Sequence, residues 1–134
     1  VCDPTSPFTT NLDVDMAIKK LEKNSKKVDA VISVAENIAG HPKFCVKLKK
    51  NSIVKPFFKK FYRPMRQNLD NIYYYCGNFY LSKVSTLLEK STFYHNRAIA
   101  IVSERYKAME IDDPLDLILA KAIMKSRKHL KKSK

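Results

Sequence analysis

The chain has 134 residues, 26 of them basic against 13 acidic, for a formal net charge of +13. That length holds one domain with a real core, and no apolar run is long enough to read as a membrane-spanning helix. A field of this sign attracts anions, which admits nucleic acid, a nucleoside triphosphate or an acidic sugar as partners. Only five of the 26 basic residues are arginine, which suits a solvated lysine surface better than bidentate phosphate recognition. The charge is uneven: nine basic residues from Lys43 to Arg66 meet no acid between Glu36 and Asp70, and Lys125, Arg127, Lys128, Lys131, Lys132 and Lys134 crowd the end.

In chain order, Thr10 to Asp13 has the form of a capping box. Val14, Ala17, Ile18 and Leu21 follow as one face of an amphipathic helix. Val28–Val34 is an apolar run that predicts a strand buried on both faces, and Phe44–Leu48 predicts a second strand. Residues 49–70, with Pro56, Pro64 and many lysines, predict a long exposed excursion of the kind that serves function. Ile72–Tyr75 is a strand, and Gly77 interrupts it before Phe79–Leu81; glycine there marks a bulge or a close backbone approach. A short helix is expected around Val84, Leu87 and Leu88, capped by Ser82, and a strand over Ala98–Val102.

Tyr106–Ile111 then leads, as a strand end, into Glu110-Ile111-Asp112-Asp113-Pro114-Leu115-Asp116. Asp113 is a good N-cap and Pro114 fits the first helical position, where its missing N–H costs nothing. Leu115, Ile118, Leu119, Ala122 and Ile123 form the apolar face of the helix that follows. Alternating strands and helices predict an α/β fold.

Four acids in seven residues on a basic chain point to bound Mg²⁺ and a phosphate-bearing substrate. Residues two apart on a strand point to the same side, so Glu110 and Asp112 could reach one cation. Plainer readings stand beside these. Asp113 and Asp116 serve as a helix cap and its partner, Thr5 and Ser6 shape a turn between prolines, and Phe93-Tyr94 is core. Tyr73-Tyr74-Tyr75 reads as a half-buried strand before it reads as a base-stacking platform. Cys2, Cys45 and Cys76 are odd in number and lack a Cys-x-x-Cys spacing, which predicts buried, reduced thiols in a cytoplasmic protein. His41, His95 and His129 are scattered and are assigned to no metal and no dyad.

Three segments together resemble the acylneuraminate cytidylyltransferases, which activate nonulosonate sugars as CMP-sugars. Val1-Cys2-Asp3-Pro4-Thr5-Ser6-Pro7-Phe8 resembles that family's Gln-Pro-Thr-Ser-Pro-Leu strand end. Arg66-Gln67, followed by Cys76-Gly77-Asn78-Phe79-Tyr80, resembles its Arg-Gln…Asn-Gly-Ala-Ile-Tyr segment. Glu110 to Asp116 resembles its Asp-Ile-Asp-x-x-x-Asp segment. The resemblance implies a Rossmann-like nucleotidyltransferase fold and a homodimer; the lack of a long apolar run argues against a membrane partner, and the acidic cluster, which would repel phosphate, against nucleic acid. It implies CTP and an acidic sugar (sialic, legionaminic or pseudaminic type) as substrates.

By the same resemblance Glu110 and Asp112 hold Mg²⁺. Asp3, Thr5, Ser6, Cys76 and Gly77 line the substrate site, and Arg66 with Gln67 holds the sugar, the guanidinium against its carboxylate. Phe93 and Tyr94 reach into the partner subunit's sugar site. Asp3 stands where the family has Gln, Cys76 where it has Asn, and Glu110 where it has Asp. The family's phosphate loop of glycine and basic residues precedes the first motif and is not found in this sequence. The expectation is therefore that residues 1–128 are the C-terminal part of such a domain, with 129–134 a basic tail, and that the fragment alone is inactive. Two other readings are carried: a cytidylyltransferase for another acidic sugar such as 3-deoxy-manno-octulosonate, and a basic nucleic-acid-binding module.

Overall fold

The computed structural model describes residues 1–38, 40–58 and 65–130, the side chains of Arg66 and of 127–130 excepted. Lys59, Lys60, Arg63 and the tail lysines Lys131, Lys132 and Lys134 lie outside the described residues. The fold is mixed α/β, and it divides into two compact units, Val1–Ala35 with the chain from Tyr75 onward, and Glu36–Tyr74.

In the first unit, Thr10 and Asp13 form the expected capping box. The Thr10 N–H and hydroxyl both donate to Asp13 Oδ2, at 2.9 and 2.6 Å, which satisfies orphan donors at the start of helix α1, Asn11–Lys23. Strand β1, Ala30–Glu36, is buried along its first six residues. It is central in the three-stranded sheet, between β4, Tyr73–Ser82, and β5, Ala98–Val102. Consecutive side chains point to opposite faces and all six are buried, so both faces are covered, which explains why its sequence is almost continuously apolar.

β5 runs parallel to β1, from Ala30 opposite Ala98 to Val34 opposite Val102. β4 runs the other way. Lys83 N–H donates to Asp29 O, at 2.9 Å, and Ser33 bonds at Cys76 and Phe79, so rising numbers on one strand meet falling numbers on the other. Ala17 of α1 packs on Val31 and Phe79, flanked by Leu21, Leu81, Ile99 and Ile101. Full burial of a side chain such as Phe79 contributes about 2–3 kcal/mol. A second small core joins Ala35, Cys76 and Ala108.

Three expectations need correction. The cap of the short helix α2, Val84–Lys90, is Lys83 and not Ser82; the Ser82 hydroxyl donates instead toward Asp29 O, at 3.4 Å, just before β1. Residues 105–108 form a turn, so the run from Tyr106 to Ile111 is not a strand. Lys107 and Ala108 N–H both bond Glu104 O, and the Lys107 side chain reaches Asp13, which together fold this segment back. In the last helix, α3, Pro114–Leu130, the expected apolar face stays largely open: Leu115, Ile118 and Leu119 are exposed, and among its described side chains Ala120 is the one buried.

The second unit holds a hairpin of β2, Val46–Leu48, and β3, Val54–Pro56, paired antiparallel with Lys47 opposite Lys55. The expected strand from Phe44 is thus shorter, and the excursion after it carries a strand of its own. Asn51 and Ser52 turn the chain with φ of 60° and 59°, a left-handed conformation that asparagine tolerates better than most residues. The Lys47 ammonium lies 4.8 Å from the centre of the Phe57 ring. Arg66–Asn68 form a 3₁₀ turn. Among the described residues no helix is long and apolar enough to cross a membrane.

Candidate functional site

The candidate site is built around Gly77, midway along β4. Its N–H donates to Glu110 Oε1, at 2.5 Å, and its C=O accepts from Asp3 N–H, at 2.9 Å. The reason for glycine is close approach. A Cβ at this position would lie 2.5 Å from Asp3 Oδ2, 2.8 Å from Asp3 Cβ and 2.8 Å from Ser6 Oγ. No side chain fits there, so the Gly77 backbone serves as the floor on which Asp3 and Ser6 rest.

The N-terminal segment is fixed by backbone pairing. Val1 and Tyr80 exchange both N–H···O bonds, at 2.9 and 2.8 Å, as an antiparallel pair does. Ile111 N–H donates to Thr5 O, at 2.9 Å, and ties the acidic segment to the same strand end. Three stretches far apart in sequence, 1–6, 76–80 and 110–111, therefore meet at Gly77.

Two buried polar residues hold β4 in this shape. Asn78, 1% exposed, donates to Thr9 Oγ1 at 3.0 Å and to Lys107 O at 2.8 Å, and accepts from the Cys76 thiol at 3.1 Å. Ser33 is fully buried on β1. Its hydroxyl lies 2.5 Å from Cys76 O and 3.0 Å from Phe79 O and accepts from Phe79 N–H at 3.1 Å. It thus supplies partners where the β4 ladder departs from regular pairing around Gly77. Sequence reasoning assigned neither residue a role. The available signals were a lone serine in an apolar run and a polar residue next to a strand glycine.

The chain matches no protein-family model and no curated protein.

An aromatic wall stands beside the carboxylates. Tyr80 packs against Phe93, ring centres 5.9 Å apart, and against Tyr94 at 5.8 Å, while Tyr75 meets Tyr94 edge-on at 4.8 Å. Burial pushes the Tyr80 phenol well above its ordinary pKa, and its hydrogen bond with Tyr94 and the charges of Asp3 and Glu110 push the same way. The Tyr80 hydroxyl is therefore a neutral donor or acceptor near two carboxylates.

Glu110 is half-buried, whereas Asp112 is exposed. Neither lies in a strand, so strand alternation does not set their relative direction. Asp113 and Asp116 perform the capping expected of them. Asp113 Oδ1 accepts from Leu115 and Asp116 N–H at 2.7 and 2.9 Å, and Asp116 Oδ2 from Asp112 and Asp113 N–H at 3.1 and 3.2 Å. Of the three cysteines expected to be buried, Cys76 is, with its thiol on Asn78, whereas Cys2 and Cys45 are exposed. Arg66 and Gln67 belong to the second unit; the Arg66 side chain lies outside the described residues, and the Gln67 amide approaches Met65 Sδ at 3.7 Å.

Behind the site, Lys107 and Asp13 pair at 2.6 Å, both side chains mostly buried. Burial raises the Asp13 pKa, but the Lys107 ammonium and the Thr10 hydroxyl and N–H outweigh it and hold the carboxyl below its ordinary value. This pair, with Asn78 on Lys107 O, secures the turn that presents Glu110. No group of three or more His, Cys, Asp or Glu side chains is poised for a metal among the described residues. Any cation here would draw on fewer carboxylates together with hydroxyl, carbonyl or water oxygens, as Mg²⁺ does.

Proposed function

We propose that this protein is a cytidylyltransferase of Rossmann-like fold that activates an acidic nonulosonate sugar with CTP, giving a CMP-sugar and pyrophosphate. The observation that carries the reading is the meeting at Gly77. Asp3 to Ser6, Cys76 to Tyr80 and Glu110 are the parts of the chain that resemble the acylneuraminate cytidylyltransferases, and hydrogen bonds join them at one place. A basic chain with carboxylates gathered at one point suits a substrate whose phosphates arrive with a cation.

In this reading the anomeric hydroxyl of the sugar attacks the α-phosphorus of CTP and pyrophosphate leaves. Positioning and charge do most of the work. Glu110 and Asp112 would hold Mg²⁺, which neutralises charge developing on the phosphate oxygens. The Tyr80 ring would shield the sugar from water, and its hydroxyl, neutral at working pH, would bond it. Arg66 would pair with the sugar carboxylate. A homodimer belongs to this reading, with the half-exposed Tyr94 offered toward the partner, as does a cytoplasmic setting, which the unbridged Cys2, Cys45 and Cys76 favour. The test is CMP-sugar formation by the full-length protein across a Mg²⁺ titration. Glu110→Ala and Asp112→Ala should each lower turnover by about a hundredfold; near-normal turnover in both would remove the assignment.

One observation favours a second reading, a nucleic-acid-binding module. Lys47 stands directly opposite Lys55 on an exposed hairpin, an arrangement that destabilises the pair unless an anion intervenes. A steep salt dependence of RNA or DNA binding, lost in Lys47→Ala with Lys55→Ala, would support it.

A further inference from the structure

We infer that Asp3 and Ser6 complete a divalent-cation site with Glu110 above the Gly77 backbone, so that the cation is held by side chains from both ends of the chain. The inference rests on the nucleotidyltransferase reading for the cation's purpose, and on geometry for its place.

Asp3 Oδ2 and Ser6 Oγ both crowd the same side of Gly77, 2.5 and 2.8 Å from where a Cβ would stand, which brings the two oxygens near each other. The Gly77 N–H holds one oxygen of Glu110 at 2.5 Å, which leaves the other oxygen for a further partner. Among the described residues neither Asp3 nor Glu110 has a basic partner; the nearby Lys107 is committed to Asp13. Two carboxylates gathered on one glycine without a counter-charge are unfavourable unless a cation joins them.

A second, independent sign is Ser6. The residue is 7% exposed, yet its hydroxyl has no hydrogen-bond partner. An unmade bond of this kind costs about 1–3 kcal/mol. Its oxygen lies against Gly77 beside Asp3, and a hydroxyl on a hard cation or on its bound water would satisfy it. Two carboxylates, one hydroxyl and water are the hard oxygen donors that Mg²⁺ accepts, and no soft ligand takes part. The three donors come from residues 3, 6 and 110, so cation binding would also clamp the N-terminal segment to the acidic one.

The experiment uses Tb³⁺ as a luminescent probe of the full chain. There are seven tyrosines and no tryptophan, so emission sensitised by tyrosine reports a lanthanide close to a ring, and Tyr80 is the ring beside both carboxylates. Wild type should bind Tb³⁺ saturably, and Mg²⁺ should displace it. Asp3→Asn and Glu110→Gln should each weaken binding at least tenfold, Ser6→Ala about threefold, and Asp113→Asn, a helix cap, should leave it unchanged. Asp3→Glu should retain binding, and it decides the matter if Asp3→Asn fails to fold. Wild-type affinity in Asp3→Asn, or in the case of misfolding no binding by a folded Asp3→Glu, overturns the inference, as does absence of saturable Tb³⁺ binding by wild type. Tight binding that depends on Glu110 but not on Asp3 leaves the cytidylyltransferase reading intact. Binding that depends on Asp3 in a protein that forms no CMP-sugar would uphold the cation site and remove that reading.

Discussion

Replacing Gly77 by alanine should dislodge the N-terminal segment from the site. The added methyl would sit 2.5 Å from Asp3 Oδ2 and 2.8 Å from both Asp3 Cβ and Ser6 Oγ. The Asp3 carboxylate can swing aside, but its Cβ cannot move without the backbone, and that motion stretches the 2.9 Å bond from Asp3 N–H to Gly77 O. Overpacking of this degree costs about 1–3 kcal/mol, and one weakened hydrogen bond adds about 1 kcal/mol. The lower chain entropy of alanine offsets about 0.5–1 kcal/mol. Gly77 has no positive φ, so backbone strain adds nothing. The net is about 2 kcal/mol, or a fall in Tm of about 6–8 °C for a chain of this size. Urea and thermal unfolding followed by circular dichroism would read it. A Gly77→Ala protein within about 0.5 kcal/mol of wild type, which is the usual scatter for an unconstrained surface position, would refute the close-approach argument.

Asp13 and Asp29 carry a pH prediction. Asp13 is held low by Lys107 and Thr10 against the opposing effect of burial, and Asp29 first by its bond to Lys83 and then, burial opposing, by Arg97. Each folded pKa lies below the ordinary aspartate value of 3.8. Their stabilisation is therefore fully present above that value and is lost as pH falls through the lower folded values. The urea midpoint of wild type should drop more steeply on acidification below about pH 4 than that of Asp13→Asn; parallel curves would count against the pairing. At neutral pH, Asp13→Ala should cost about 2–3 kcal/mol, from the lost cap and a mostly buried Lys107 left unpaired, measured by urea unfolding. Arg66→Lys in the full-length protein should raise the apparent KM for the acidic sugar far more than that for CTP, because lysine cannot make the bidentate pair. A rise in the CTP constant alone would contradict the role proposed for it.

Local chemistry was the most legible part of this sequence. The capping box at Thr10 and Asp13, the strand at Ala98–Val102, the buried central strand and the Asp113-Pro114 helix start all depend on neighbours within a few residues, and all appear. The close approach at Gly77 was also readable, as a glycine inside a strand pattern. What brings Gly77 its neighbours was not. The partners of Ser33 lie more than forty residues away, and those of Asn78 lie about 30 and 70 residues away; no periodicity reports such pairings. The turn at 105–108 was missed for the same reason, because its shape depends on Lys107 reaching Asp13. Alternation then placed Glu110 and Asp112 on one strand face, whereas the fold bonds Glu110 to Gly77 and leaves Asp112 exposed. The apolar stripe of α3 followed helical spacing, but spacing alone does not say which face is covered.

The central claim is nucleotidyl transfer to an acidic sugar. The most direct measurement incubates the full-length protein with CTP labelled at the α-phosphate, Mg²⁺ and a panel of nonulosonates, 3-deoxy-manno-octulosonate and neutral sugars, and follows the label by chromatography. The account predicts that label moves onto a nonulosonate with release of unlabelled pyrophosphate, and that Glu110→Ala slows the transfer about a hundredfold. Label that stays in CTP with every acidic sugar, in a folded protein that binds neither substrate, would contradict it.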